Sequence, residues 1–228
     1  MSASGQLRPV PRRSTAELIA DQLRSAIMYG SLSPGDQLGE ADLAGRLGVS
    51  RGPLREAMQR LVQEGLLRSE RHRGLFVREL TPDDVRDVYT ARLAVERTAC
   101  EIIMRGNRGE AVAHLTPALE RLAEAAQSHD RDLMSDADQA FHQTLVSCAG
   151  NSRLERMSQT LLVETRMCLT VMQETYPEPD ELLQEHRRIL EAIADGAEDR
   201  LLELIHEHMT DTVDRINAER PTAASPED

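Results

Sequence analysis

The chain has 228 residues, of which 40% are hydrophobic and 2% aromatic, and its formal net charge is -12. This length suits one large domain or two modest ones, and the hydrophobic content is sufficient for a packed, mainly aliphatic core. No apolar run approaches the roughly 20 residues of a membrane span, and residues 1–13 lack the apolar segment of a secretory signal, so we expect a cytoplasmic protein with no membrane partner.

The charge is distributed unevenly along the chain. Residues 1–80 contain 12 Arg and 9 acidic residues, whereas residues 81–228 contain 15 Arg and 30 acidic residues. A mildly basic first third joined to a strongly acidic remainder predicts two modules with different partners. The acidic total therefore does not exclude a nucleic-acid-binding module at the start of the chain.

The first module is predicted over residues 14–78, after a polar segment, residues 1–13, that we expect to be disordered. A helix capped by Ser14 or Thr15 is followed by a turn at residues 33–36. A short helix over residues 40–47 then leads through Gly48 to a second helix, which Ser50 can cap. This order predicts a helix–turn–helix.

Two short strands, residues 66–69 and 75–78, are predicted on either side of a basic turn. A helix–turn–helix followed by a basic hairpin is typical of a winged helix, whose second motif helix meets base edges in the major groove. Arg51 and Arg55 share the face opposite the apolar side of this helix, and arginine can contact guanine through two hydrogen bonds. The alternative is a solvated arginine stripe on a small helical domain.

Residues 14–78 carry an ordered series of motifs. These are Gly30-x-Leu32-x-Pro34-Gly35, Leu43-Ala44, Gly48-Val49-Ser50-Arg51-Gly52-Pro53-Leu54-Arg55-Glu56-Ala57, Leu61-x-x-x-Gly65-Leu66 and Arg73-Gly74-Leu75-Phe76-Val77. The series resembles the GntR family of bacterial transcription regulators, and the resemblance implies DNA contacts from the recognition helix and from a wing tip in the minor groove. The implied residues are Ser50, Arg51, Gly52 and Arg55 of the helix, and His72, Arg73 and Gly74 of the wing. At Ala41 the chain departs from FadR-like members that carry an Arg there, so neither that contact nor an operator sequence is implied.

Residues 79–82 form a predicted linker, and residues 83–218 are predicted to be all-helical. Thr81-Pro82-Asp83-Asp84 marks the start of the first helix, because a cap, a proline and two acids suit a helix N-terminus. The helix breaks fall near residues 106–107, 128–130, 150–151, 176–179 and 195–196. They delimit six helices, followed by a flexible tail over residues 219–228. The predicted fold class is therefore mainly α, with a winged helix–turn–helix domain and an all-α bundle.

Asp138 and His142 have the spacing that places two side chains on one helical face. His186 and His208 lie in two later predicted helices. Three imidazoles and one carboxylate suit a divalent ion, for which zinc is the first choice and nickel or manganese are alternatives. Taken alone, each of these residues also fits an ordinary position on a helix surface or at a core edge.

The second half also carries motifs in a fixed order. These are Arg92-x-x-x-Glu96, Asp138-x-x-Phe141-His142, Gly150-Asn151, Glu185-His186-x-x-Ile189-Leu190-x-Ala192-Ile193 and His208-Met209. They resemble the FCD effector domain of the FadR subfamily, whose metal-binding members hold one divalent ion inside the bundle. The resemblance implies that Asp138, His142, His186 and His208 are the metal ligands. His206 competes with His208, and the following Met209 favours His208.

Arg92 is the residue that we expect to bind an anionic effector, since a guanidinium matches a carboxylate with two parallel hydrogen bonds. The alternative is an i, i+4 pair with Glu96 on the helix surface. We therefore expect a bacterial regulator, a homodimer on a pseudo-palindromic operator, whose DNA affinity is controlled by a small organic acid at a metal-containing domain. It would act as a repressor or an activator and would not be an enzyme.

Two other functions are compatible with the same residues. A metalloregulator would respond to the metal itself. A metal-dependent hydrolase would need an open metal position and a positioned acid or base, and Glu185 is the only candidate for that role beyond the ligands.

Overall fold

The computed structural model describes residues 13–171 and 178–218. The described residues divide into two compact units. The first unit covers the chain up to Arg78, except for Met28–Gly30, and the second contains Met28–Gly30 and the chain from Glu79 onward.

Three sequence-based predictions concern residues outside the described part. The predicted disordered segment, apart from Arg13, and the predicted tail over residues 219–228 lie there. So do Tyr176 and Pro177 of one predicted helix break.

The first unit has three helices and a three-stranded antiparallel sheet among its described residues. They are α1 Thr15–Met28, β1 Gln37–Leu38, α2 Glu40–Leu47, α3 Arg51–Gln63, β2 Leu67–Glu70 and β3 Gly74–Val77. The strand order is β1-β3-β2, and Phe76 in β3 lies opposite Arg68 in β2 and Gln37 in β1. The sequence analysis predicted the hairpin but not β1, which contributes only two residues.

The turn between α2 and α3 depends on Gly48, whose φ of 64° is in the left-handed region that favours glycine. Its position ends α2 and lets Val49 donate a hydrogen bond to the Ala44 carbonyl. The apolar face of α3 is completely buried against the rest of the unit. Its residues are Leu54, Ala57, Met58 and Leu61. The opposite face of α3 is consequently turned to the solvent.

The second unit consists of helices among its described residues. They are α4 Pro82–Arg105, α5 Arg108–Ser128, α6 Arg131–Ser147, α7 Ser152–Val171, α8 Pro179–Asp195 and α9 Glu198–Ala218. Helix α4 contacts α5, α6, α7 and α9, while α8 packs on α5 and α9. The six predicted helices are present, which confirms the predicted fold class. No described helix combines the length and the apolar content needed to cross a membrane.

Local sequence signals set the ends of these helices. A capping box starts α4, because the Thr81 hydroxyl accepts from the Asp84 N–H while the Asp84 carboxylate accepts from the Thr81 N–H. Gly196 ends α8 with a φ of 75°. The helices enclose a mainly aliphatic core cluster that includes the Phe141 ring. Its fully buried members include Leu115, Phe141, Leu145, Ile189, Ile193 and Leu201.

Candidate functional site

The four predicted metal ligands meet inside the helical unit. Asp138 and His142 come from α6, His186 from α8 and His208 from α9, and all four are buried. One potential ligand atom from each residue lies within 4.8 Å of the others. The Nε2 atom of His142 is 3.0 Å from that of His208 and 3.2 Å from that of His186. Three imidazoles therefore present the same ring nitrogen to one point.

The opposite ring nitrogen of each histidine is already engaged. His142 Nδ1 lies 2.6 Å from Glu96 Oε2, and His208 Nδ1 lies 2.8 Å from Glu185 Oε2. His186 Nδ1 lies 2.8 Å from the Leu182 carbonyl oxygen. Carboxylates and carbonyls can only accept here, so each Nδ1 carries the proton. In the neutral imidazoles, the lone pairs are consequently on the three converging Nε2 atoms, where a metal ion needs them.

Asp138 completes the set with a negative charge. Its Oδ1 is 3.1 Å from His186 Nε2 and 3.6 Å from His142 Nε2. This oxygen is buried, and it accepts no hydrogen bond from the described residues. Leaving a buried carboxylate oxygen unsatisfied is costly. A divalent cation coordinated by Asp138 Oδ1 and the three Nε2 atoms would satisfy it, so the residues present fit such an ion.

The protonation of the cluster follows from its carboxylates. Burial by itself would raise the pKa of Glu96, but the charges of His142 and Arg92 lower it to about 2. Burial would lower the pKa of His142, yet the neighbouring Glu96 and Asp138 raise it to about 9. For His208, burial prevails over the Glu185 hydrogen bond and lowers the pKa to about 4. Without a cation, a proton on His142 thus supplies the positive charge that the carboxylates require.

Arg92 lies inside the bundle beside the cluster. Its Nε donates to Glu96 Oε1 at 3.0 Å, and Glu96 also accepts from His142. The predicted i, i+4 pair therefore forms, but it is buried rather than on the helix surface as that alternative required. Arg92 Nη2 is 3.0 Å from Glu96 Oε1, yet it makes no hydrogen bond within the described part of the chain.

Sequence reasoning missed the contacts of Glu96 and Glu185 with the histidines. For Glu96 a signal was present, because Arg92 and Glu96 continue the apolar stripe of α4 that contains Tyr89 and Ala99. Charged residues at the core positions of an amphipathic helix indicate a buried polar network. Glu185 is half-buried at the edge of α8, and only the packing of α9 brings it to His208.

The competition between His206 and His208 is resolved by burial. His208 is buried, whereas His206 is exposed on the other side of α9. Only His208 is close to the other three candidate ligands.

The predicted DNA contacts of the recognition helix lie on the solvent side of α3. Ser50, Arg51, Gly52 and Arg55 are all exposed. A Cβ added to Gly52 would meet no atom within 4 Å, so the backbone is open to a close approach there. Arg51 has no ion-pair partner among the described residues. Arg55, in contrast, donates from Nε to Glu40 Oε2 at 2.7 Å.

The predicted wing residues are exposed at the turn between β2 and β3. His72 and Gly74 have φ values of 64° and 104°, which produces the tight reversal of the chain. Arg73 Nη1 contacts Glu70 Oε2 at 2.5 Å, and its guanidinium lies over the Phe76 ring at 5.3 Å from the centroid. The Arg73 side chain is therefore held against the hairpin.

Together these features define a class of protein: a regulator with a winged helix–turn–helix unit and an all-helical unit that contains a buried Asp/His₃ cluster. Residues 15–77 match the model of the bacterial regulatory proteins of the gntR family, and residues 87–211 match the FCD domain. The chain belongs to the GntR family and carries an FCD domain. The predicted resemblance to FadR-like members is thereby confirmed.

Two proteins that are similar to this chain are transcription regulators. The chain is 30% identical over 210 residues to the gluconate operon transcriptional repressor of Bacillus licheniformis, covering 90% of this chain and 86% of that protein. It is 27% identical over 183 residues to the Nta operon transcriptional regulator of Aminobacter aminovorans, covering 80% and 85%. These relatives and the family support a DNA-binding transcription regulator.

Solved structures share the fold. A putative GntR transcriptional regulator from Rhodococcus sp. RHA1 has a TM-score of 0.80 at 28% identity. The match covers 92% of this chain and 100% of the Rhodococcus chain. E. coli McbR/YncC has a TM-score of 0.76 at 22% identity, covering 91% and 99%.

Proposed function

We propose that the helical unit binds a divalent metal ion and a small carboxylate, and that the carboxylate controls the affinity of the winged helix for its operator. The observation that carries this proposal is the convergence of three Nε2 atoms and Asp138 Oδ1 on one buried point, with each histidine Nδ1 already bonded. Asp138, His142, His186 and His208 would hold the ion, and zinc is the first choice for this donor set, with nickel or manganese as alternatives.

The charges of the site support an anionic effector. Asp138 and Glu96 contribute two negative charges and Arg92 one positive charge, and all three groups are buried. The three groups therefore sum to one negative charge. A divalent ion reverses this to one positive charge, which a monocarboxylate would neutralise. Buried charges are stable only when they are compensated in this way.

Arg92 is the group that we expect to contact the effector. Its buried Nη2 lies 3.0 Å from Glu96 Oε1 but makes no hydrogen bond in the described part of the chain, and Glu96 links Arg92 to His142. A carboxylate that coordinates the ion could accept a hydrogen bond from this nitrogen. Since a relative is named for the gluconate operon, short hydroxy acids are the first compounds to test.

DNA contact is assigned to the exposed face of α3 and to the wing. Arg51 and Arg55 would reach the major groove, with Ser50 and Gly52 against the backbone, while His72, Arg73 and Gly74 would approach the minor groove. We infer a homodimer on a pseudo-palindromic operator, because a symmetric protein pair reads two related half-sites. Repression is the expected sign, as for the gluconate operon relative.

The effector would act through a coupling free energy between its site and the operator. A ligand can change DNA affinity only by the difference in its own affinity for the DNA-binding and non-binding arrangements. A tenfold change in operator affinity corresponds to about 1.4 kcal/mol of coupling.

The test is a DNA-binding titration with the promoter of the chain's own gene. Operator affinity is measured for metal-stripped and zinc-loaded protein, each with and without gluconate and related hydroxy acids. We expect an acid to change the operator affinity of the zinc-loaded protein by tenfold or more and to leave the operator affinity of the stripped protein unchanged. A response to zinc alone, with no effect of any acid, would identify a metalloregulator instead. Absence of sequence-specific binding in every condition would overturn the proposal.

A further inference from the structure

The contact between Glu40 and Arg55 joins the two helices of the DNA-binding motif. Glu40 is the first residue of α2, and Arg55 lies in the second turn of α3. Arg55 Nε donates to Glu40 Oε2 at 2.7 Å. The Arg55 side chain is 62% exposed and the Glu40 side chain is 37% exposed. Both therefore lie at the surface that the recognition helix turns toward the solvent.

The contact uses only one edge of the guanidinium. Arg55 Nε is occupied by Glu40, whereas Nη1 and Nη2 make no hydrogen bond to any residue that the structure describes. Bidentate recognition of guanine requires two N–H donors aimed at O6 and N7. The two terminal nitrogens provide such a pair. The Glu40 carboxylate, bound to Arg55 Nε, thus leaves Nη1 and Nη2 available for a base. It also limits the orientations of the Arg55 side chain.

Holding the arginine matters because a free one is flexible. An unrestrained arginine side chain samples many rotamers, and part of this rotamer entropy is lost when the side chain binds a base. A partner that fixes the guanidinium before binding reduces this loss for the correct base. It also disfavours rotation of the side chain toward a nearby phosphate, a contact that would contribute affinity without sequence information.

We propose that Glu40 is a specificity-determining residue, which positions the Arg55 guanidinium to recognise a guanine in the operator. This inference rests on the proposed DNA contact of Arg55. Glu40 has a second effect of opposite sign on affinity, because its negative charge near the DNA repels phosphates. Its removal should strengthen binding to unrelated DNA while it weakens discrimination of the operator.

The experiment compares Glu40→Gln with the matched control Asp42→Asn. Asp42 is also an acid in the first turn of α2, but it is 71% exposed and pairs with Arg46 of the same helix at 3.6 Å. Fluorescence anisotropy would measure affinity for an operator duplex, mapped by footprinting on the chain's own promoter, and for an unrelated duplex of equal length. Circular dichroism would verify that each variant is folded.

We expect Glu40→Gln to lower the ratio of operator affinity to unrelated-DNA affinity by about two- to fivefold. Asp42→Asn should raise both affinities by the same factor, since it removes a charge without affecting Arg55, and should leave the ratio unchanged. An unchanged ratio in Glu40→Gln would overturn the inference.

A double-mutant cycle distinguishes the positioning role of Glu40 from the DNA contact of Arg55 on which that role depends. In an Arg55→Ala background, Glu40→Gln should have no further effect on the ratio, because its role depends on Arg55. An equal loss in both backgrounds would overturn the positioning role. If Arg55→Ala alone binds the operator like the unmodified chain, the proposed DNA contact of Arg55 is wrong as well.

Discussion

In the winged-helix unit the candidate contacts Arg51 and Arg55 are exposed, whereas in the helical unit the candidate ligands His142 and His186 are completely buried. Exposed side chains contribute little to the free energy of unfolding, so their replacement should change binding alone. The buried cluster connects three helices, and its replacement should change ion binding and stability together. The two units should therefore respond differently to substitution, because only the buried cluster contributes to the free energy of unfolding.

The largest expected effect is the loss of the ion from the buried cluster. At free zinc about 1,000 times its dissociation constant, chelation should lower the free energy of unfolding by about 4 kcal/mol. His186→Ala should bind no stoichiometric zinc and should unfold at the same temperature with and without chelator. Calorimetry and metal analysis provide the two measurements.

The matched control for this experiment is His206→Ala, which removes an exposed histidine from α9, two residues before the candidate ligand His208. It should retain both the zinc content and the response to chelator. Full zinc binding by His186→Ala would show that the candidate ligand set is wrong.

The pH dependence should differ between the loaded and the stripped protein. Metal must displace the proton of His142, whose pKa is raised to about 9 by Glu96 despite burial, so zinc affinity should rise about fiftyfold from pH 7 to pH 9.

In the stripped protein, the His142 side chain should make the protein less stable, not more stable, as the pH rises. Its folded pKa of about 9 exceeds its ordinary value of 6.5, so its stabilising contribution is complete below pH 6.5 and is lost as pH rises through 9. Denaturant unfolding at several pH values measures this loss. A stripped protein whose stability increases over the same range would contradict the assigned protonation of His142.

A smaller effect on zinc binding is expected when the hydrogen bond from His208 to Glu185 is weakened. Glu185→Gln removes the charge that accepts from His208 Nδ1 at 2.8 Å and should weaken zinc binding by about 10–100-fold. Competition with a chromophoric chelator measures the affinity. Glu181→Gln is the control, because the Glu181 side chain is 61% exposed on the same helix and its carboxylate pairs with Arg215 at 3.6 Å. Equal affinities for the two variants would exclude a supporting role for Glu185.

The smallest effect on folding is expected at the DNA-binding surface. Arg51→Ala should reduce the slope of log affinity against log salt by about 1, because one phosphate or base contact is lost. Its free energy of unfolding should stay within about 0.5 kcal/mol of the unmodified chain. Arg97→Ala, which removes a 48% exposed arginine from α4, should alter neither quantity. A large loss of stability in Arg51→Ala would remove the contrast between the two units.

Local patterns were sufficient to predict most elements of the fold. Thr81 and Asp84 cap α4 as their spacing indicates, and Gly48 forms the predicted turn between α2 and α3. Strand β1 escaped prediction because Gln37 and Leu38 are too few to show alternation. Their pairing with β3 depends on residues almost 40 positions away.

For the candidate metal site, the sequence predicted the four ligands but not the carboxylates that support them. Residue types and spacing selected Asp138 and His142, and the order of the motifs added His186 and His208. The place of Glu96 in the apolar stripe of α4 indicated a buried polar group but not its partner, and Glu185 gave no such signal. Only the packing of α4 against α6 brings Glu96 to His142.

The four candidate ligands are synthesised at different times. Asp138 and His142 share α6, whereas His208 follows His142 by 66 residues. At a translation rate of about 5–20 residues per second, this separation corresponds to about 3–13 s. Until His208 emerges, a nascent chain offers an ion only part of its ligand set. If the proposed ion binds, its complete site can therefore form only after α9 has been synthesised.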